Sequence, residues 1–309
     1  MAPSRDAPEP GLTWRMFATV ILVALVYAAA ALPAFLAGPV WGAAAVAAAM
    51  AFALFSARAG DRLALRALDA RQVTAAEEPE LHAVLDRLCL SSGLPKPRLA
   101  VSGLDAPNAF AAGSGPGSAV VCVTAGLRSR LEPAEVAAVL AHETAHVANR
   151  DVLVGAVASF PSLCAGLLLG WWTGLITGRD RHGAGRAAAV ICGIVLLPAG
   201  VAAAVLYAVG TLTWLALSRH RELCADTTGA LLTGRPSDLS SALDKISDAV
   251  RDASRDDLRR LRPVSALCVV RARRAAAGGG VADMLSSHPT LRRRRAGLEA
   301  VSWRLARGG

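Results

Sequence analysis

The sequence has few charged and few aromatic residues. Charged residues make up 18% of the chain and aromatic residues 5%, whereas apolar residues make up 54% and the mean hydropathy is +0.42. This composition excludes a disordered chain, a collagen-like chain and an ordinary soluble protein. The six cysteines include no C-x-x-C motif, so neither a disulfide framework nor a thiolate metal site is expected, which suits a reducing compartment.

Lysine is almost absent from the chain. It occurs only at Lys96 and Lys245, so arginine carries almost all of the formal net charge of +9. Basic chains often bind nucleic acid, and the run from Arg292 to Arg295 is the best candidate for such a contact. No aromatic-studded strand, recognition-helix pattern or zinc finger accompanies this run. We therefore expect no nucleic-acid partner.

Four long stretches lack Asp, Glu, Lys, Arg and His altogether. They contain 21, 17, 26 and 31 residues, and they run over residues 16–36, 40–56, 152–177 and 187–217. Since about 20 apolar residues span a bilayer as a helix, the sequence predicts four transmembrane helices. A cleaved signal peptide is the alternative for the first stretch. That stretch is longer than the roughly 7 to 15 apolar residues of a signal peptide, and a second stretch follows, so a retained hairpin is favoured.

Arginine residues near these stretches predict the orientation of the chain. With four passes, nine arginines fall on the side of the termini and three fall on the other side, in the loop at residues 179–186. The positive-inside rule then predicts a multi-pass protein of the inner (plasma) membrane with cytoplasmic termini. The bilayer is one expected partner, and its anionic inner leaflet suits the basic residues. The three loop arginines leave open whether the last two stretches cross fully or form a tight hairpin.

The polar segments show a coarse pattern of helices and short strands. Spacing and turn signals predict a helix over 77–90, a hairpin turn over 113–117 and short strands over 98–102, 108–112 and 119–124. A helix with Pro133 in its first turn ends near Asn149. Further helices are predicted over 219–232 and 238–261, and a basic helix is predicted at the C-terminus. The chain is thus expected to be mainly α with a small sheet.

One of these helices contains a motif that binds metal ions. It reads His142-Glu-Thr-Ala-His146, and side chains four residues apart on a helix have Cβ atoms only about 5–6 Å apart, so both imidazoles can reach one zinc ion. Glu143 lies next to them and can take a proton from a water molecule at an open coordination position. Catalytic zinc sites usually have a third protein ligand and a carboxylate that orients an imidazole.

A second polar segment supplies both of these carboxylates. Glu222 and Asp226 lie one helical turn apart, 76 residues or more after His146. His146 precedes the third apolar stretch by six residues, and Glu222 follows the fourth by five. At about 1.5 Å per residue both lie within ~10 Å of the same membrane face. A membrane hairpin would therefore bring the two motifs together.

These motifs together resemble the HtpX-like membrane zinc endopeptidases, which are relatives of the CaaX prenyl proteases. The resemblance covers most of the chain: Pro107–Phe110 with the hairpin after it, the stretch from His142 to Asp151, the S-R-x-R-E-x-x-A-D pattern over 218–226, and Ser287-His-Pro. It implies a membrane protein, mainly α, with four transmembrane helices and a cytoplasmic, gluzincin-like α+β catalytic domain that binds one Zn2+ per chain.

The resemblance also implies a role for each site residue. His142, His146 and Glu222 would bind zinc, Glu143 would act as the general base, and Asp226 would support the ligands from behind. His288 would steady the oxyanion, with Arg294 in its basic position. An extended substrate would pair with the edge strand at Asn108, Ala109, Phe110 and Ala111. The chain departs from the family pattern at Thr144, Thr290 and Arg293.

The implied organisation interleaves membrane and catalytic segments. Residues 1–13 would be disordered, 14–57 and 152–217 would form transmembrane hairpins, and 58–151 and 218–309 would form the two parts of the catalytic domain. The implied substrates are proteins or peptides, above all misfolded membrane proteins under quality control. Two alternatives are a processing protease for one signalling or lipidated partner and a non-catalytic membrane scaffold that holds zinc.

Overall fold

The structure is a computed structural model that describes residues 35–113, 115–178, 184–261, 269 and 286–307, together with positions 21, 24, 25, 27, 28 and 32. Contacts divide the chain into two compact units, the first formed by residues 1–53 and 155–217 and the second by residues 54–154 and 218–309. The segment 1–13, expected to be disordered, lies outside the described residues.

Helices dominate the described residues, with a small sheet in the second unit. The elements in chain order are α1 (Pro39–Ala67), β1 (Arg71–Gln72), α2 (Pro79–Ser92), β2 (Arg98–Ser102), β3 (Ala109–Ala112), β4 (Val120–Thr124), α3 (Ala125–Arg130), α4 (Pro133–Ala148), α5 (Asp151–Thr177), α6 (Ala184–Val195), α7 (Leu197–Thr233), α8 (Pro236–Asp252), α9 (Arg255–Leu261) and α10 (Leu291–Ala306).

Among the described residues, two helices are long and apolar enough to cross a membrane. These are α5, with 27 residues, and α7, with 37 residues. The apolar part of α1 is shorter, Pro39–Phe52, and the first apolar stretch lies largely outside the described residues. In the first unit the Phe160 ring of α5 packs against the rings of Tyr27 and Phe52. Two candidate spans agree with membrane association, and four passes stay a prediction.

The fourth apolar stretch departs from a single continuous helix. It is divided between α6 and α7, which meet at Leu196. Pro198 lies next to this break, and proline disfavours helical geometry in the residue before it and removes a backbone donor. The helix predicted over 219–232 is confirmed as the C-terminal part of α7, which continues from the apolar stretch to Thr233. Glu222 and Asp226 therefore lie in the C-terminal part of α7.

The sheet confirms the three predicted strands to within one residue. Its order is β1-β2-β4-β3, with β2 parallel to β4 and the other pairs antiparallel, so β3 lies at an edge. The β3–β4 hairpin pairs Phe110 with Cys122. Strand β1 was not predicted, because it consists of two exposed polar residues without any apolar alternation.

The two faces of the sheet pack against different helices. Ala109, Ala111, Val121 and Val123 belong to one buried cluster with residues of α2, α4, α8 and α10. The alternate residues of β3 and β4 belong to a second cluster with the C-terminal end of α1 and Leu261 of α9. Side chains alternate between faces along a strand, so this pattern fixes the register. It also places β3 beside α4, the helix of the metal motif.

The helix predicted over 238–261 is interrupted, and this correction has a local cause. Ala253 is extended (φ −61°, ψ 147°), so α8 ends there and α9 begins after Ser254. Ser254 Oγ accepts a hydrogen bond from the Asp257 N–H at 3.1 Å and donates to Asp257 Oδ2 at 2.8 Å. Such reciprocal capping starts a new helix and was readable from the Ser-x-x-Asp spacing.

A buried glutamate fixes the start of α4 to α8. Glu135 forms a capping box with Glu132, and its carboxylate also accepts hydrogen bonds from Ser241 Oγ at 2.6 Å and Lys245 Nζ at 2.8 Å. Burial would raise the pKa of Glu135, but the bonds from Lys245, Ser241 and the Glu132 backbone outweigh this effect and lower the pKa. The ionised carboxylate therefore holds the motif helix in place.

We expect Glu135→Gln to destabilise the fold at neutral pH by about 1.5–3 kcal/mol, since a charged hydrogen-bonded group is lost. Because the folded pKa of Glu135 is lowered, its contribution is full above the unfolded pKa of about 4.3 and is lost as the pH falls through the folded pKa. Melting temperatures in detergent between pH 7 and pH 3 measure this effect. The difference in melting temperature between the variant and the wild type should become smaller as the pH falls. Glu80→Gln at an exposed position is the control, and an equal loss in that variant would contradict the assignment.

Candidate metal centre

Helix α4 carries the motif in a buried position and ends where the sequence predicted. His142, Glu143 and Thr144 are almost fully buried. Asn149 is the C-cap, and Arg150 takes a left-handed conformation with φ 54°. The chain therefore turns sharply after α4, and α5 begins at Asp151.

The three predicted ligands lie together. His142, His146 and Glu222 each offer one ligand atom, and these atoms lie within 4.8 Å of one another. The two imidazole Nε2 atoms are 3.1 Å apart. Glu222 Oε2 lies 3.8 Å from the Nε2 of His142, and Glu222 Oε1 lies 3.6 Å from that of His146. Helices α4 and α7 thus bring together three possible ligand side chains from segments that are far apart in the sequence.

Gly229 allows α7 to lie close to the motif helix. A Cβ atom at this position would come within 2.9 Å of His142 N and 3.0 Å of His142 Cα. Any other residue would therefore push the two helix backbones apart. This role could not be predicted from the sequence, because a single glycine in a helical pattern is not specific to a helix contact.

Each of the two histidines has a carboxylate next to its Nδ1 atom. His142 Nδ1 lies 3.0 Å from Asp226 Oδ1, and His146 Nδ1 lies 2.5 Å from Asp151 Oδ2. A carboxylate on Nδ1 holds the imidazole in the tautomer that leaves Nε2 free for a metal ion. Asp226 was expected in this role. Asp151 was not, because its approach depends on the left-handed turn at Arg150, which has no clear sequence signal.

The C-terminal segment completes the centre. Arg294, only 3% exposed, binds Asp226 through Nε at 2.7 Å and through Nη2 at 2.6 Å. His288 Nδ1 lies 3.2 Å from Glu222 Oε2. Arg219 Nη1 donates to Ser286 O at 2.8 Å and so holds the backbone two residues before His288. The structure therefore brings both predicted C-terminal residues to the ligand group.

Glu143 has a buried carboxylate with no side-chain hydrogen-bond partner among the described residues, and the Ala111 backbone makes only a weak bond to it. Burial raises the pKa of this carboxyl to about 8. An unpaired carboxylate of this kind is costly unless the site supplies a cation or a water molecule. A nearby divalent cation would lower the pKa again and favour the ionised form that accepts a proton.

The two imidazoles differ in their proton affinity. Burial lowers the pKa of His142, and the Asp226 carboxylate acts against this effect only in part. Burial also acts to lower the pKa of His146, but the bond with Asp151 and the charges of Glu222 and Glu143 outweigh it and raise the pKa to about 9. A metal ion therefore has to displace a proton from His146, so metal binding should release protons.

The donor set fits a divalent metal ion. Two imidazoles and one carboxylate are ligands typical of catalytic zinc, and three protein ligands leave a coordination position open. Among the described residues, Glu143 Oε1 and Oε2 and His288 Nε2 are further buried polar atoms of this group without a hydrogen-bond partner of good geometry. Thr144 does not disturb the group, because its hydroxyl donates to Leu140 O within α4 at 2.7 Å.

Strand β3 borders a small cleft at this centre. The cleft is lined mainly by small and apolar residues, together with His146 and Asp151: Ala111, Ala112, Gly113, Gly115, Ala119, Val147, Arg150 and Val152. Among the residues predicted to bind substrate, Ala109 and Ala111 face α4. Phe110 is fully buried in the cluster on the opposite face, and the Asn108 side chain accepts a hydrogen bond from the Ala109 N–H.

A pair of imidazoles one turn apart, a carboxylate from a second helix and an unpaired glutamate beside them define a metallopeptidase centre. In agreement with this class, residues 75–302 match Peptidase family M48, and the chain belongs to this family of metallopeptidases.

Curated relatives are similar over most of the chain. Protease HtpX homolog 1 of Streptomyces coelicolor is 41% identical over 98% of this chain and 96% of its own length. Protease HtpX homolog of Moorella thermoacetica is 37% identical over 95% of both chains. Protease HtpX homolog 2 of Methanosarcina mazei is 37% identical over 78% of this chain and 79% of its own length. The resemblance read from the sequence is thereby confirmed.

Proposed function

We propose that the chain is a zinc-dependent endopeptidase of the membrane. The observation that carries this proposal is the convergence of His142, His146 and Glu222 beside the unpaired carboxylate of Glu143. A zinc ion held by the three ligands would polarise the scissile carbonyl and lower the pKa of a water molecule. One zinc ion per chain fits the one such donor group found among the described residues.

Glu143 would move the proton in this reaction. Its carboxylate accepts a proton from the attacking water and later donates it to the nitrogen of the leaving amine. His288 lies against the ligand Glu222 and would donate a hydrogen bond to the oxygen that becomes negatively charged. Asp226 and Asp151 would keep the two ligand imidazoles in the required tautomer.

Extended segments of damaged or misassembled membrane proteins are the proposed substrates. An edge strand reads the backbone of its partner, and therefore tolerates many sequences but requires an unfolded segment. The carboxylate of Glu222 lies on the same helix as an apolar stretch that ends five residues earlier. The catalytic domain would be formed by residues 58–151 and 218–309 on the cytoplasmic side of a four-pass protein of the inner membrane.

The first test is cleavage of casein by the detergent-purified chain. We expect cleavage that a chelator abolishes and that stoichiometric zinc restores, with the new termini spread over many sequences. Cleavage that persists after complete metal removal would contradict the proposal. Cutting of a single natural partner, with casein left intact, would instead favour the narrow processing protease.

A further inference from the structure

The backbone of Val269 occupies the open side of strand β3. Its N–H donates to Ala109 O at 3.1 Å and also lies 3.1 Å from Asn108 Oδ1. On the other side of β3, Asn108 O accepts from the Thr124 N–H at the start of the β4 pairing. Peptide groups alternate in direction along a strand, so Ala109 and Ala111 present theirs to the open side. Val269 is thus hydrogen-bonded where an added strand would pair.

The carbonyl group of Val269 connects the same residue to the metal centre. Val269 O accepts a hydrogen bond from Arg294 Nη1 at 2.7 Å, and this nitrogen lies 3.7 Å from Glu222 Oε2. The Asp226 carboxylate accepts hydrogen bonds from Nε and Nη2 of Arg294 and so fixes the orientation of the guanidinium group. The carbonyl of Val269 is therefore held next to a proposed zinc ligand.

The side chain of Val269 is also held. It is 1% exposed and belongs to the buried cluster that includes α4, β3 and α10. One residue thus donates its N–H to the edge strand, accepts a hydrogen bond at its carbonyl from a fixed arginine, and buries an aliphatic side chain. An extended peptide bound along β3 would make the same three kinds of contact.

We propose that Val269 occupies the position of a substrate residue, so that the chain's own backbone competes with substrate for the edge of β3. This inference rests on the proposed endopeptidase function, because it assumes that substrate pairs with this edge. A substrate has to displace Val269, and its affinity is reduced by the fraction of molecules in which the edge is free. The position favours a substrate residue with an aliphatic side chain.

The test measures binding, so it does not depend on turnover. The full-length chain carries Glu143→Gln, and the probe is a fluorescein-labelled peptide with the sequence of residues 265–273, SALCVVRAR, under reducing conditions. Val269→Pro removes the N–H that bonds Ala109 O, so we expect its Kd for the peptide to fall about tenfold. Val269→Ala keeps the N–H but loses buried contacts, and we expect a fall of several-fold.

A matched control separates release of the edge from general loosening of the core. Val301→Ala removes the same side-chain atoms from α10 within the same buried cluster, and its Kd should equal that of the Glu143→Gln parent. Unchanged Kd values in both Val269 variants would overturn the inference. A fall in the Kd of Val301→Ala equal to that of Val269→Ala would also overturn it. Either result would show that Val269 is a structural residue that does not compete with substrate.

Kinetics with the catalytically competent chain distinguish this inference from the proposed function. We expect Val269→Ala to lower the KM for a peptide substrate several-fold at unchanged kcat, because only the free edge becomes more populated. Absence of chelator-sensitive cleavage in the wild type would contradict the endopeptidase function, whereas the binding measurement would still decide the position of Val269.

Discussion

Glu143→Gln is expected to reduce peptide cleavage by about 100- to 10,000-fold while the chain stays folded and keeps its metal ion. Glutamine has the same shape as glutamate but cannot accept a proton from water. The glutamate carboxylate is buried next to His142, and a glutamine Oε1 can still accept the hydrogen bond from the Ala111 backbone, so the substitution should not lower the melting temperature. Steady-state rates on casein, metal content and melting temperature measured on one preparation test this prediction.

Glu299→Gln is the matched control for this substitution. Glu299 is exposed on α10, so its replacement should leave rate, metal content and stability unchanged. Full cleavage by Glu143→Gln would contradict the role of general base. Loss of the metal ion together with activity would instead place Glu143 among the ligands.

The second large effect is a graded loss of metal affinity in two variants. Glu222→Gln replaces a proposed ligand. We expect the zinc affinity of this variant to fall by more than about 100-fold, which is more than the loss of a residue that contacts only a ligand would cause. Asp151→Asn leaves every ligand in place but weakens the hold on His146 Nδ1, so we expect a fall of about 10- to 100-fold. Competition with a chromogenic chelator measures both affinities directly.

Asp248→Asn provides the control for this series, because Asp248 is exposed and pairs only with a neighbouring arginine among the described residues. Zinc affinity equal to that of the wild type in Asp151→Asn would show that His146 needs no carboxylate to orient it. Wild-type affinity in Glu222→Gln would remove Glu222 from the ligand set.

The metal motif and its partner carboxylates could be predicted because their spacing carries the chemistry. His142 and His146 are four residues apart on a helix, and Glu222 lies as close to its apolar stretch as His146 lies to the next one. Strands β2, β3 and β4 were predictable for a similar reason, since turn residues separate short apolar runs. In these cases a local pattern was enough.

Features that depend on one backbone angle or one close contact could not be predicted. Asp151 reaches His146 only because Arg150 is left-handed, and Gly229 matters only because α7 crosses α4 at that residue. The break near Pro198 is different, because the proline is visible in the sequence. A proline in an apolar helix is compatible with both a kink and a break, so the sequence did not decide between them. Val269 gave no signal, since the strand residues that it contacts, Asn108 and Ala109, lie 160 or more residues away in the sequence.

X-ray absorption at the zinc edge of the purified wild-type chain tests the central claim most directly. The account predicts one zinc per chain with nitrogen scatterers at about 2.0–2.1 Å from His142 and His146, oxygen at a similar distance from Glu222, and no sulfur. A sulfur shell at about 2.3 Å would assign the ion to a cysteine such as Cys224 and contradict the proposed ligands. A folded chain that binds no zinc would contradict the metal centre itself.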